Sequence, residues 1–393
     1  MVIINARIYP IDGMPIDCGY VRIKKGIFSA CGSMASYAPD GEPEFDAGGA
    51  CLLPGLVDAH THIGIWEEGI GMEGDDTNEG SDPATPQLRA VDAVNTRDPA
   101  FLTALEGGVT TVVTGPGSGN PIGGQIAAIK TGGSVWLDDR IVAAPAAMKF
   151  ALGENPKREY GDRDDAPMTR MATAAIIREN LSKALEYRDK LQRAEEDEDC
   201  DPPDYDIKCE SLLPVVNGEL PAHFHAHRAD DIATAVRIAK EYNLRFAIVH
   251  ATEAAIVREP LSRLDERFLG VIAGPLLGTR SKPELTNLSF TSPTMLLENE
   301  INTALCTDHQ VIPENYLMLC AALAVKNGMR EEDALSAITL SAARTAGIES
   351  CVGSITPGKD ADLVLFDRHP LDFNAKVLLV IIGGEIVLDR REQ

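Results

Sequence analysis

The chain has 393 residues, 44% of them hydrophobic and 24% charged, which is typical of a globular protein. Its length exceeds one ordinary domain and fits either two domains or a large α/β barrel with an added module. The net charge of −24 excludes nucleic acid and anionic membranes as expected partners, because both repel a strongly acidic chain.

No apolar run approaches the roughly 20 residues that span a bilayer, and no early segment has the flanks of a signal peptide. The eight cysteines form neither a CxxC pair nor a tight framework, which favours reduced thiols. We therefore expect a cytoplasmic protein without membrane partners. Its expected partners are a small-molecule substrate and further copies of the same chain, as a homo-oligomer.

Both ends of the chain have the pattern of short antiparallel strands. The segments are 1–8, 20–24, 27–31 and 50–53 at the start, and 361–366, 377–382 and 385–388 at the end. The Gly383-Gly384 pair between the last two segments fits a hairpin turn. This shared pattern predicts that the two ends build one small module.

Between the two ends, apolar strands alternate with helical segments, as in βαβ units around a parallel sheet. The predicted strands cover residues 56–60, 109–114, 125–130, 144–150, 222–227, 245–250, 270–273 and 302–308. Eight strands are the number that a closed (β/α)8 TIM barrel needs. Residues 168–194 are predicted to form a helical excursion between strands four and five.

The histidines, except His369, stand at or just beyond the predicted C-terminal end of a strand, the edge that faces the active site in such barrels. His60 and His62 close strand one. Side chains alternate along an extended segment, so these two imidazoles point to the same side and can share one metal. A His-x-His pair alone is weak evidence, but this one ends a predicted strand.

Three further strands end in residues that can bind metal. Strand five carries His223, His225 and His227 on one face, which ordinary core packing does not explain, although a structural role stays open for His223. His250 ends the apolar strand six. Asp308 closes strand eight, where a carboxylate is costly unless it is paired or binds a metal. Beside the imidazoles it can also take a proton from water.

Together these motifs resemble the amidohydrolase superfamily over nearly the whole chain, specifically the imidazolonepropionase-related and prolidase-like members. The resemblance rests on residues 54–62 (PGLVDAHTH), 225–228 (HAHR), 249–250, 307–309 (TDH) and 358–364 (GKDADLV). It implies a metal-dependent hydrolase barrel and a β-sandwich assembled from both termini. The expected bounds are 54–350 for the barrel, and 1–53 with 351–393 for the sandwich.

The resemblance also implies how the metals are held. The more buried metal is expected on His60, His62 and Asp308, and the more exposed one on His225 and His250.

Binuclear members bridge the two metals with a carboxylated lysine on strand four, where Lys149 stands. A carbamate there supplies two oxygens and a compensating negative charge. A lysine that reaches solvent is the alternative, and Lys130 and Lys157 are weaker competitors for the bridging position.

Substrate contacts are expected beside these ligands. Arg280 and Lys282 follow strand seven on a Gly-rich loop, and the Arg280 guanidinium suits a substrate carboxylate, although a plain surface charge is equally open. His227 and His309, next to predicted ligands, are the other expected substrate-binding residues.

The leading hypothesis is hydrolysis of a C–N bond in a linear or cyclic amide by a metal-bound hydroxide. It requires one or two divalent metal ions, with zinc expected, and Asp308 as the general acid/base. The alternative is a mononuclear deaminase or an imidazolonepropionase-like ring-opening hydrolase. Such deaminases tend to carry a Glu near the strand-five histidine, and the absence of one close to His225 favours two metals.

A non-catalytic scaffold, which typically loses metal ligands, is disfavoured because every expected ligand type is present. The substrate stays open among acyl amino acids, dipeptides and small cyclic amides, because neither fold nor metal ligands name it.

Overall fold

The computed structural model describes residues 1–391. Its strands before the barrel are β1 (Val2–Ile8), β2 (Ile16–Lys24), β3 (Ile27–Ser33), β4 (Glu44–Asp46) and β5 (Cys51–Pro54). The barrel strands are β6 (Leu56–Thr61), β7 (Val109–Thr114), β8 (Ile122–Lys130), β9 (Ile141–Ala151), β10 (Ala222–Ala226), β11 (Phe246–His250), β12 (Phe268–Ala273) and β13 (Thr303–Leu305). After them come β14 (Leu363–Phe366), β15 (Val377–Ile382) and β16 (Glu385–Asp389).

The helices lie mostly between and after the barrel strands. They are α1 (Ala100–Glu106), α2 (Glu154–Gly161), α3 (Arg170–Glu196), α4 (Ile207–Val216), α5 (Ala229–Glu241), α6 (Arg258–Ser262), α7 (Ser292–Leu297), α8 (Leu317–Lys326), α9 (Glu331–Ala337) and α10 (Leu340–Thr345). Helix α3 is the predicted excursion, and it begins where the Thr169 hydroxyl accepts the N–H of Ala172 (3.1 Å). None of the helices within residues 1–391 is long and apolar enough to cross a membrane.

The eight central strands form one sheet in the order β13-β12-β11-β10-β9-β8-β7-β6. Two backbone hydrogen bonds close it into a barrel: the N–H of Asp308 donates to the His60 carbonyl (3.2 Å), and the N–H of His62 donates to the His309 carbonyl (3.0 Å). Small apolar side chains such as Ala59, Ala247 and Ala304 fill the interior, together with residues of α10. The predicted eight-stranded barrel is confirmed.

One strand departs from the predicted parallel arrangement. Strand β8 pairs antiparallel with both β7 and β9. Only residues 115–121 connect β7 to β8, whereas a parallel crossover needs about a dozen residues or more. The chain therefore turns straight back, and the C-terminal end of β8 lies at the rim opposite the histidines.

The two ends of the chain form a second sheet, in the order β16-β15-β14-β5-β1-β2-β3 with β4 beside β1. The ends meet where β5 pairs antiparallel with β14. Ile3, Phe28, Leu365 and Ile381 share one apolar core between the halves of the sheet. The N–H of Phe28 also donates to the Lys359 carbonyl (2.9 Å). A β-sandwich built from both termini is thus confirmed.

A buried ion cluster fastens this sandwich to the barrel. Because β8 is reversed, Lys130 points away from the histidines, and its Nζ lies 2.5 Å from Asp362 and 2.8 Å from Asp360. Burial alone would lower the pKa of Lys130, but Asp362 and Asp360 raise it above its usual value. Lys130 therefore pairs with carboxylates beside the sandwich, and it cannot be the lysine that bridges the metals.

Replacing Lys130 with methionine should destabilise the protein by roughly 3–5 kcal/mol, because it leaves the buried carboxylate of Asp362 without a counter-charge. Urea unfolding measures this loss. Adding Asp362→Asn should restore part of it. The control is Lys183→Met, which breaks an exposed pair with Glu179 and should cost at most about 1 kcal/mol. Equal stability of Lys130→Met and wild type would show that the ion cluster does not hold the modules together.

Candidate metal centre

Four strand ends bring polar side chains to one rim of the barrel. His60 and His62 come from the end of β6, His225 and His227 from the end of β10, and His250 from the end of β11. Asp308 follows β13. Five of the six line a cavity of about 580 Å³, together with residues of the loops above, and His60 is buried beneath it.

His60, His62 and Asp308 form a first ligand group, whose donor atoms lie within 4.8 Å of one another. Asp308 Oδ1 is 3.6 Å from His60 Nε2 and 3.4 Å from His62 Nε2. His62 Nδ1 lies 2.7 Å from the Gly115 carbonyl, which can only accept, so Nδ1 carries the proton. In a neutral His62 ring, Nε2 is then the bare nitrogen and faces the carboxylate, an arrangement that suits a cation between them.

His225, His227 and His250 form a second ligand group, again within 4.8 Å. His250 Nδ1 donates to the Gly274 carbonyl (2.9 Å), which leaves its Nε2 bare. His227 Nδ1 is 2.8 Å from the Thr252 hydroxyl. Burial lowers the pKa of His250 to about 4 and the pKa values of His225 and His227 well below normal. All three are thus neutral, the form that binds metal. His227, expected as a substrate contact, belongs to this second candidate ligand group.

Lys149 lies on β9, beside the first ligand group. It is fully buried, so it does not reach solvent, and its Nζ lies 3.1 Å from His60 Nε2. Burial lowers the pKa of Lys149 to about 8. At neutral pH such a lysine is neutral far more often than an ordinary one, and the neutral amine is the form that reacts with carbon dioxide. The competing Lys157 lies on α2 and does not line the cavity.

A buried carboxyl pair supports the first ligand group from below. Asp58 accepts the N–H of His60 (3.0 Å) through one oxygen, and the N–H and hydroxyl of Thr307 (3.0 and 2.6 Å) through the other. Glu314 Oε2 accepts the Thr61 hydroxyl (3.1 Å) and lies 3.3 Å from the Thr307 hydroxyl oxygen. Burial raises the pKa of Asp58 to about 6 and that of Glu314 well above normal. The pair thus fixes the backbone on either side of the ligands.

Glu284 is a further buried carboxylate that sequence analysis missed. Its Oε1 lies 3.8 Å from His225 Nε2, 3.5 Å from His227 Nε2 and 2.6 Å from Lys282 Nζ. Its Oε2 accepts the N–H of Glu154 (3.2 Å). The expectation that no Glu approaches His225 is therefore wrong, because the loop after β12 folds over the end of β10. The absence of a nearby Glu therefore cannot be used to favour a binuclear site over a mononuclear one.

Two expected substrate contacts lie elsewhere. Arg280 is exposed, and its guanidinium donates to the carbonyls of Thr286 (2.9 Å) and Leu288 (2.7 Å), because the loop after β12 curls back on itself. His309 is buried, and its Nε2 lies 3.9 Å from Glu68. Neither residue lines the cavity. His223 is buried lower in the barrel, with Nε2 2.8 Å from the Thr345 carbonyl, which is the structural role left open for it.

Arg158 and Lys282 supply the cationic side chains of the cavity wall. Lys282 is already paired with Glu284 and also donates to Asn155 Oδ1 (3.1 Å). The Arg158 guanidinium has no hydrogen bond or ion pair within residues 1–391. Asp308 is the one carboxylate among the lining residues of this part of the chain. The wall is thus basic although the whole chain is strongly acidic.

Comparison with known proteins gives a consistent picture. Residues 289–387 match the model of the amidohydrolase family. The chain is 30% identical, over 94% of its length, to amidohydrolase tasK of Hapsidospora irregularis, of which it spans only 40%. It is 23% identical to the imidazolonepropionase of Rhizobium rhizogenes, covering 93% of this chain and 90% of that protein.

The crystal structure of an amidohydrolase from Thermotoga maritima MSB8 matches with a TM-score of 0.94 and 41% sequence identity, over 99% of this chain and 100% of that one. A match of this quality from end to end includes both the sandwich and the barrel rim that carries the histidines. On this evidence the chain belongs to the amidohydrolase superfamily.

Proposed function

We propose that the chain is a metal-dependent amidohydrolase that cleaves a C–N bond in a linear or cyclic amide of a small molecule. The observation that carries the proposal is the convergence of two ligand groups, with neutral imidazoles and a carboxylate, on one cavity. These donors fit zinc, and they also fit manganese, iron or cobalt. Divalent cations bound there would activate water and polarise the substrate carbonyl.

The residues that would hold the metals are His60, His62 and Asp308 for one ion and His225 with His250 for the other. Lys149, once carboxylated, would join the two. Support for this role comes from its complete burial, its lowered pKa and its place 3.1 Å from His60.

Asp308 is the proposed general acid/base. Burial alone would raise the pKa of this carboxyl, but His250, His62 and Lys149 lower it below its usual value. Asp308 is therefore ionised at neutral pH and can accept a proton from water at the cavity floor. The same carboxyl can then give the proton to the leaving nitrogen.

The test is a screen of metal-reconstituted protein against N-acyl amino acids, dipeptides and cyclic amides. We expect hydrolysis that disappears with a chelator and returns with zinc. Ammonia release from heterocycles, without amide cleavage, would instead support the second candidate, a mononuclear deaminase. Glu284 beside His225 is the observation that favours this candidate, and metal content per chain distinguishes the two.

Arg158 is the proposed contact for an anionic group of the substrate, in place of Arg280. Arg158→Met should raise KM for a carboxylate-bearing substrate roughly ten- to hundredfold with little change in kcat, because a hydrogen bond to a charged group is lost from both ground and transition states. Arg280→Met is the matched control and should leave both constants unchanged. A raised KM for Arg280→Met with an unchanged KM for Arg158→Met would instead identify Arg280 as the substrate contact.

A further inference from the structure

The position of Glu284 beside the second ligand group is not explained by an ordinary ion pair. Its side chain is fully buried, and the same Oε1 atom that meets the Lys282 ammonium also faces the Nε2 atoms of His225 and His227. An ion pair with Lys282 needs neither imidazole. Burying a carboxylate beside two imidazole nitrogens is costly unless a proton or a cation lies between them.

The spacing of these atoms is that of ligands on one ion. Two donor atoms at about 2.1 Å from a tetrahedral metal lie roughly 3.4 Å from each other. In the first ligand group, Asp308 Oδ1 lies 3.4 and 3.6 Å from the two imidazole nitrogens. Glu284 Oε1 lies 3.5 and 3.8 Å from His227 and His225. Each group thus pairs one carboxylate with two imidazoles at nearly equal distances.

The surroundings keep Glu284 ionised and oriented. Burial alone would raise the pKa of Glu284, but His227 and Lys282 lower it below its usual value. The N–H of Glu154 holds Oε2, which leaves Oε1 directed at the imidazoles. Lys282 is itself held by Asn155 Oδ1. The carboxylate is thus fixed by bonds that do not involve the histidines it faces.

We propose that Glu284 is a metal ligand, and that it adds a carboxylate beside His225 and His227 to the ligand group that these two form with His250, for one divalent ion. This second site would hold its ion without a bridge from Lys149. The inference rests on the proposed function only in requiring a divalent metal, and it assumes nothing about the reaction.

Titration of metal-free protein with Co²⁺, followed by absorption of the bound ion and by metal content after dialysis, tests the proposal. Wild type should bind two ions. Glu284→Gln should lose one of them or bind it at least about tenfold more weakly, whereas Lys149→Met should keep one. The matched control is Glu154→Gln, which removes a neighbouring negative charge without removing a ligand and should bind like wild type.

Glu284→Gln leaves the Lys282 ammonium without its partner, and this could itself disturb the fold. A second variant controls for that effect. Glu284→Gln combined with Lys282→Met removes both members of the ion pair, and it should show the same loss of one ion. Lys282→Met alone should keep both ions. If Glu284→Gln binds as wild type does, or falls only as far as Glu154→Gln, Glu284 is merely the partner of Lys282 and the proposal is overturned. Failure of wild type to bind any Co²⁺ would overturn the proposed function as well.

Discussion

Lys149→Ala should lose one metal ion per chain and at least about a hundredfold in kcat. The physical reason is that the variant would remove the proposed bridging donor, and a second cation contributes several kcal/mol to stabilising developing charge. Metal content and steady-state kinetics on the same preparation measure the two losses together. A metal-replete structure of the wild type should show the carbamate directly.

The dependence of metal uptake on carbon dioxide is a second, independent test of the role of Lys149. Metal uptake by metal-free wild type should be faster or more complete with added bicarbonate, and Lys149→Ala should show no such dependence. Lys157→Met is the control, because Lys157 is a lysine of the neighbouring helix α2 outside the cavity lining. Full activity of Lys149→Ala, or an unmodified amine in the metal-loaded structure, would end the binuclear proposal.

The sequence predicted the barrel well because buried strands leave a local signal, but the direction of a strand leaves none. The run that became β8 is as apolar as its neighbours. Its reversal shows only in the short connection at residues 115–121, which has no room for a crossover helix. The sequence therefore leaves Lys130 as a candidate for the metal-bridging position, whereas in the structure it binds Asp360 and Asp362 beside the sandwich.

Site residues with a local sequence signal could be predicted, whereas those placed by the tertiary fold could not. His60, His225 and His250 end apolar strands, so their shared rim follows from the barrel itself. Glu284 and Arg158 belong to a loop and a helix beyond the strand ends, and their positions depend on how those segments fold over the rim. No local pattern carries that information.

For Asp58, the sequence indicates a buried carboxyl group but not its partners. It lies in the middle of an apolar run, Leu56 to Ala59, where an ionisable group is rarely buried without a partner. That anomaly was visible in the sequence. Its partners, Thr307 and Glu314, lie far along the chain and become its neighbours only when β6 and β13 close the barrel.

Asp308→Asn should keep most of its metal yet lose at least about a hundredfold in kcat, because general acid–base catalysis typically contributes 10²- to 10⁴-fold. Asparagine keeps the shape and one ligating oxygen but cannot accept the proton. The backbone tolerates the change, since Asp308 has φ 55°, a left-handed conformation that asparagine adopts readily. Metal content and kcat, measured on the same preparation, check both halves of this expectation.

His309 is the rival base, and His309→Gln is the decisive comparison. Its ring is buried outside the cavity lining, near Glu68, and burial lowers the pKa of His309 to about 4. We therefore expect His309→Gln to stay close to wild type in kcat when the two variants are compared at equal metal occupancy. The opposite result would be a metal-loaded Asp308→Asn enzyme near wild-type kcat and an inactive His309→Gln enzyme. It would assign the role of general base to His309. It would also require the ring to turn into the cavity when substrate binds.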